Sequence, residues 1–304
     1  MASPAQAAQI VYIFFTLKNK DACQRQEAAH VLRRYLSTAV AEMSSDAATK
    51  LWDVYINRRL FELTHCQNYA EAFGGLVAIG ELLQVEGEEN IDSKRNLFRF
   101  WNYVKHLLPN HDVNLMLAAS KTLGQIAVLG GAAFGERFMD KEVPAAIEML
   151  QPDKPESPRY AGVLFLKELA RNSPTYFHSH IAVVFDYILV PLRDQRLFVR
   201  EGAAVLLAAC LEIVTQRERQ TRSPYLFKIL QDAQMGLYQS QPEIIHGSLL
   251  SYRVLLLHAG MFMCETFLDT AEQILRFKSH RDLLVRKMVI TMFPSLAAYD
   301  TQTF

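Results

Sequence analysis

The chain is 304 residues long, half of them apolar, and its 32 lysines and arginines are balanced by 32 aspartates and glutamates. Zero net charge excludes the global basic field that drives binding to phosphate backbones, so nucleic acid is not predicted as a partner. The apolar half supports a large core, whereas the longest uninterrupted apolar runs, such as 203–211, fall short of the roughly 18 residues of a membrane span.

Taken in chain order, the apolar periodicity predicts helices in pairs, an outer A helix followed by an inner B helix. The first pair is 5–17 and 21–36. A second A helix opens after Ser44 and Ser45, both offered as N-caps, and ends near Leu63, with 69–83 as its partner. In the third pair, 94–107 carries Leu97, Phe98, Phe100, Trp101, Val104 and Leu107 near a 3.6-residue period. Pro109, Asn110 and Asp112 then break and cap the chain before 113–129, which Gly130 and Gly131 end.

The fourth A helix is predicted to be interrupted, with one short segment ending at Phe138 and a second over 143–150, Pro144 lying in its first turn. Pro152, Pro155 and Pro158 form a stiff loop before 160–169. Ser173 and Pro174 read as N-cap and N1 of a fifth A helix running to about Val190, with 196–214 as its B helix. A polar connector, 215–222, precedes Ser223 and Pro224, which restart helix through Tyr238. The segments 243–257, 261–277 and 281–299 complete the series. No stretch alternates with period two for long enough to demand a strand.

Each B helix begins near a small residue or its equivalent: Ala28, Gly74, Ala118, Ala161, Gly202, His246 with Gly247, and Lys287 with Met288. The steps between them are 46, 44, 43, 41, 44 and 41. That period falls in the range of helical-pair repeats of the HEAT and armadillo kind. The expected fold is therefore all-α, a right-handed α-α superhelix of about seven pairs forming one array over 1–304. Such an array is read as a surface for partners before it is read as an active site.

A second signature lies at the turn into the B helix. Asp282 to Arg286 spells D-x-x-V-R, and Val199 with Arg200 repeats its end after Asp194. Asp194 and Asp282 are expected to accept bonds from free backbone N–H groups, and Arg200 and Arg286 to pair with an aspartate of their own or a neighbouring repeat, as a structural ladder.

The words that resemble chemistry fail on context. His280 to Leu283 reads H-R-D-L, the opening of a kinase catalytic loop, but Lys287 stands where that pattern wants asparagine, and no D-F-G follows. Gly130 to Gly135 lacks the spacing and the preceding strand of a phosphate cradle. His178 and His180, two residues apart on a helix, point about 200° away from each other and make poor co-ligands. No catalytic, cofactor-binding or metal-ligating residue is assigned.

Cys23, Cys66, Cys210 and Cys264 are widely spaced and are expected to be small buried hydrophobes. Trp52, Tyr55, Phe61, Phe98, Phe100 and Trp101 are expected to fill the core between repeats. Glu86, Glu88 and Glu89 and the charged run Arg217, Glu218, Arg219, Arg222 read as solvated loops. The first residues lack the pattern of a secretory signal, so a cytoplasmic location is expected.

At 199–211 the sequence V-R-E-G-A-A-V-L-L-A-A-C-L resembles the N-terminal HEAT region of target-of-rapamycin (TOR) kinases. Further matching words follow the same order: Val85-Glu86-Gly87; Leu107-Leu108-Pro109 with Ala119-Ser120-Lys121; Leu169-Ala170 with Pro174-Thr175-Tyr176-Phe177; Thr215-Gln216-Arg217-Glu218; and Ile245-His246-Gly247. The stretch 265–304 is similar to fungal members in particular. The resemblance implies a non-catalytic scaffold arm of a large serine/threonine kinase whose ATP- and magnesium-dependent domain lies elsewhere. It implies docking of a raptor-type subunit, a contribution to a site for a Rheb-type small GTPase, contacts with the remainder of the TOR chain and a TOR dimer, and recruitment of the parent to endomembrane surfaces. The insertion that some animal members carry before the last repeat is not found between Leu257 and Phe277.

The apolar last helix, with Met288, Val289, Ile290, Met292, Phe293 and Leu296, lacks the polar face of a terminal cap. A further repeat is therefore expected to cover it. The competing expectation is a free-standing HEAT or armadillo adaptor for transport or phosphatase assembly.

Overall fold

A computed structural model describes residues 4–41, 43–84, 91–217 and 224–299. Among the described residues the secondary structure is helical, with no strand. The chain divides into two compact units, 1–135 and 136–304.

The first unit contains α1 (Pro4–Thr16), α2 (Ala22–Ala41), α3 (Ser45–Lys50), a π-helical stretch (Leu51–Asn57), α4 (Arg58–Thr64), α5 (Tyr69–Leu82), α6 (Ile91–Lys105), α7 (Val113–Gly130) and a 3-10 turn (Gly131–Phe134). A and B helices pair as α1 with α2, α4 with α5, and α6 with α7. The B helices also stack on one another, α2 on α5 on α7. Leu32, Leu36, Leu76, Ile79, Leu123 and Ile126 lie fully or almost fully buried along that stack. At the ~25 cal/mol per Å2 of apolar burial, such residues carry the unit. Asp53 ties α6 to the π-helical stretch through Arg99 and Arg95, and the Arg99 hydrogen bond holds its carboxyl below the usual range.

By length and composition alone, one described stretch, Val113–Phe134, is long and apolar enough to cross a membrane. In this unit it is the B helix α7 with the 3-10 turn after it, and 56% of its most apolar 18 residues are buried. Asp112 caps it by accepting from the N–H of Leu115 at 2.8 Å, and Asn110 accepts from Asp112. Gly131, at φ +47°, supplies the left-handed backbone that ends it.

The second unit contains α8 (Glu136–Met149), α9 (Glu156–Asn172), α10 (Pro174–Phe177), a 3-10 turn (His178–His180), α11 (Ile181–Tyr187), α12 (Leu189–Leu192), α13 (Leu197–Arg217), α14 (Pro224–Leu237), α15 (Pro242–His258), α16 (Gly260–Cys264), α17 (Phe267–Leu275) and α18 (Leu283–Tyr299). The pairs are α8 with α9, α10 to α12 with α13, α14 with α15, and α16 and α17 with α15 and α18. The B helices stack as α9, α13, α15 and α18. Three pairs in one unit and four in the other make this a helical repeat solenoid.

At two of the marked positions the small residue has a direct cause. A Cβ on Gly247 of α15 would overlap the carbonyl oxygen of Leu192, the last residue of α12. A Cβ on Gly74 of α5 would overlap the carbonyl oxygen of Leu17, just past α1. In both units, then, a B helix touches the end of the preceding repeat's A helix, backbone to backbone, at the marked position.

Several local expectations are corrected. The fourth A helix is one continuous helix, α8, and Pro144 lies in its middle. Buried Met139, Val143, Ala146 and Ile147 keep an unbroken apolar stripe whose burial outweighs the hydrogen bond that proline removes. The fifth A helix is broken into α10, a 3-10 turn, α11 and α12. Ser44 and Ser173 stand at N-cap positions, but neither hydroxyl makes a cap bond.

Of the four cysteines, all free, Cys210 is buried while Cys23 and Cys264 are exposed. Phe100 and Trp101 are core residues, but Phe61 and Phe98 are 46% and 40% exposed. Phe61 stacks on His65, which in turn stacks on His106 with ring centroids 4.0 Å apart. The acidic turn at 86–89, the word at 85–87, the connector from 218 onward and Ser223 lie outside the described residues.

Candidate functional site: turns and a groove along the B helices

The turns into the B helices repeat one hydrogen-bonded design. Arg200 is almost fully buried, and its Nη1 donates to the backbone carbonyls of Asp194 at 2.6 Å and Gln195 at 3.0 Å. Arg286 does the same to His280 and Arg281, at 2.6 and 2.9 Å, and Arg25 to Asn19 and Lys20, both at 2.8 Å. Arg159 donates to the carbonyl of Lys154. In three of the four, the side chain of the first residue whose carbonyl the arginine bonds closes the turn on the N–H two residues further on. Asn19, Asp194 and His280 accept from the N–H of Asp21, Arg196 and Asp282.

Asp282 caps α18, accepting from the N–H groups of Leu284 and Val285 at 2.9 and 3.1 Å, whereas Asp194 accepts from the N–H of Arg196, ahead of α13, and so closes the turn. Arg200 and Arg286 are corrected. Their guanidinium groups bond to turn carbonyls and make no ion pair with either aspartate, because the fork reaches back over the first turn onto backbone oxygens. The rung between repeats is made instead by Arg159, whose Nε lies 2.5 Å from the buried Oδ2 of Asp194. The words around Arg25 and Arg159 differ from D-x-x-V-R. The signal that places them is their spacing, two or three residues before the small residue that marks each repeat.

Beneath Arg200 lies His246, also buried, whose Nδ1 accepts from the Arg200 Nε at 3.3 Å. Burial, aided by the Arg200 cation and opposed by Asp282, lowers the imidazole to about 4. A histidine depressed in the folded state leaves stability unaffected above the unfolded value near 6.5. Between there and about 4 the unfolded chain binds a proton that the folded chain refuses, costing about 1.4 kcal/mol per pH unit. Urea midpoints at pH 7 and pH 5 are expected to show the parent losing about 2 kcal/mol more than His246→Asn, which keeps an acceptor and cannot titrate. Equal losses would remove His246 from the acid response.

Across the exposed faces of α13, α15 and α18 runs a groove of about 600 Å3. Ala204, Val205, Leu250, Val254, Leu257 and Met288 give it an apolar floor. Glu201 and Glu212 on α13, Arg171 at the end of α9, Arg253 on α15 and Lys287 on α18 stand at its rim. Glu212 is engaged by His258 at 3.5 Å.

The chemistry-like words are structural. H-R-D-L is the cap of α18, and its aspartate is occupied by two backbone N–H groups. The 130–135 stretch is a 3-10 turn in which a Cβ on Gly130 would overlap the Phe134 ring. His180 approaches Asp140 at 3.4 Å, and His178 makes no contact with it. Among the described residues, no three histidine, cysteine or acidic side chains gather in a way that could hold a metal ion.

The surfaces of such an array are set by family, and comparison supplies one. Over 96% of its length the chain is 36% identical to serine/threonine-protein kinase tor1 of Schizosaccharomyces pombe. Over 93% it is 33% identical to serine/threonine-protein kinase TOR of Arabidopsis thaliana, and over 96% it is 29% identical to TOR2 of Saccharomyces cerevisiae. The chain belongs to the TOR family. It spans about 12% of the length of these TOR kinases. No family model matches the chain. A designed armadillo repeat protein matches 94% of it at 12% identity and a TM-score of 0.32. The match to a small part of each TOR kinase agrees with a region outside the catalytic domain.

Proposed function

We propose that this stretch is the N-terminal arm of a TOR kinase, a non-catalytic scaffold that docks a raptor-type subunit and contributes to a site for a Rheb-type small GTPase. The observation that carries this reading is the sequence identity to TOR kinases over nearly the whole chain, confined to about an eighth of theirs. The helical repeats support it, since stacked pairs present long ridges to partners and their buried polar groups are spent on turns. The relatives described above are kinases, which weighs against a free-standing adaptor.

Purified chain is expected to retain a raptor-type subunit weakly in a pull-down, since an isolated arm carries only part of an assembly's interface. Substitutions on this stretch within the full-length kinase are expected to weaken that assembly while leaving kinase activity on a small peptide intact. No retention by the chain, together with normal assembly of the substituted full-length kinase, would refute the docking role.

A further inference from the structure

The ends of α4 and α6 meet through rings. His65, one residue past α4, stacks on Phe61 at 3.9 Å and on His106, one residue past α6, at 4.0 Å, the two imidazoles lying within 10° of parallel. Tyr103 sets its edge against Phe61 and His65. The His65 Nδ1 lies 3.0 Å from the Phe61 carbonyl oxygen, so it carries a hydrogen and holds its ring in the stack. Upstream, the π-helical stretch is tied to α6 by a different kind of bond, the ion pair of Asp53 with Arg99.

The two ties respond oppositely to acid. Neutral imidazoles stack without penalty, and one imidazolium on a neutral ring is tolerated because a ring face attracts a cation. A second proton sets two like charges on rings whose centroids are 4.0 Å apart. Among the described residues, the carboxylates of the packed elements are engaged elsewhere. Asp53 holds Arg99, Glu62 lies 3.0 Å from Arg58, Glu71 2.8 Å from Lys18, Glu81 2.9 Å from His30, and Asp112 accepts from Leu115. The other charged or titratable groups of α4, α6, α7 and the adjoining turns are Arg59, Arg95, Tyr103, Lys105, Lys121, Cys66 and His111, and none is a carboxylate.

Burial, with His106 beside it, lowers the His65 imidazole against the pull of the Phe61 carbonyl. A lowered histidine leaves stability unaffected above the unfolded value near 6.5 and costs stability as pH falls below it. Asp53 keeps its charge in mild acid, because the Arg99 bond lowers its carboxyl.

We infer that the stack of His65 on His106 is a proton-released latch between the second and third helical pairs. Neutral, it holds the end of α4 against the end of α6; doubly protonated, it parts, while Asp53 and Arg99 keep the upstream end closed as a hinge. A ring that swings out and a helix end that shifts break the bridge alike. The latch lies within one chain and is independent of the docking reading.

NMR of the histidine ring protons in the 304-residue chain follows the titration, each ring assigned by its own variant. The His65 midpoint is expected to rise by at least about 0.5 in pH in His106→Gln, which removes the second charge. Amide exchange read by mass spectrometry, corrected for intrinsic rates, locates the opening. Between about pH 7.5 and 5.5, segments 58–66 and 101–108 are expected to gain at least about threefold in rate, with 51–57 and 95–100 unchanged. His106→Phe keeps a ring on His65 and takes no proton, so it is expected to abolish the gain. His106 is exposed, and unchanged circular dichroism at neutral pH confirms that both variants fold. An unmoved His65 midpoint, the same acid gain in His106→Phe, or a gain spread equally over 95–100 would each overturn the proposal.

Discussion

Gly247→Ala is expected to cost about 3 kcal/mol or more, seen as a fall of roughly 6 °C or more in thermal midpoint. The added Cβ would overlap the Leu192 carbonyl oxygen and lie 2.9 Å from its carbon. Both partners are backbone, and neither can rotate away as a side chain would. To admit one methyl group, α15 must move off the end of α12, and that shift breaks the packing of α15 on α13 beside it. Gly74→Ala is expected to behave alike against Leu17. The control sits in the same helix as Gly74: a Cβ on Gly80 meets nothing within 4 Å. Gly80→Ala is therefore expected to stabilise by about 0.5–1 kcal/mol, because alanine has less backbone freedom to lose. If all three substitutions shifted the midpoint alike, helix propensity rather than close approach would explain the glycines.

Arg200→Met is expected to destabilise by about 2–4 kcal/mol. Methionine is the natural comparison because Met116 occupies the corresponding place in α7, so length and apolar bulk are kept. What is lost is the fork that bonds the carbonyls of Asp194 and Gln195 and the Nδ1 of His246. Those three acceptors are then left in a buried turn with no donor, and leaving acceptors unpaired is the larger part of the cost. Desolvation of the guanidinium limits the net gain from Arg200, since burial lowers its pKa even though Glu243, Asp194 and Asp282 favour the cation. The exposed pair Arg58 and Glu62 is the contrast. Removing Arg58 is expected to change the urea midpoint by no more than about 0.5 kcal/mol. A midpoint for Arg200→Met equal to that of the Arg58 variant would show that the turn tolerates unpaired carbonyls.

The helical pairs were legible because their cause acts on composition. Close backbone approach admits only small side chains, so Gly74 and Gly247 stand at marks of the period without any knowledge of what they touch. Asp112 and Asp282 were legible as caps for a similar reason: a cap bond is local and needs one residue at one offset.

The turn arginines were half legible. D-x-x-V-R pointed to Arg200 and Arg286, but Arg25 and Arg159 do the same work in the words D-A-C-Q-R and P-E-S-P-R, which lack its valine. An arginine that bonds to carbonyls makes no demand on the side chains around it. The breaks in the fifth A helix were not legible, since α10, α11 and α12 are separated by small backbone departures within one apolar run. The groove was least legible of all. Its floor comes from α13, α15 and α18, residues scattered over more than eighty positions, and its rim from side chains that look in sequence like any solvated face.

The glycine and carbonyl contacts set one stop in each unit. Leu17, just past α1, meets Gly74, and Leu192, at the end of α12, meets Gly247, backbone against backbone. At these two places the distance between a B helix and the A helix of the repeat before it is gauged like a tooth against its slot, however many residues the intervening thread uses. The count of residues there can drift while the interval in space stays put.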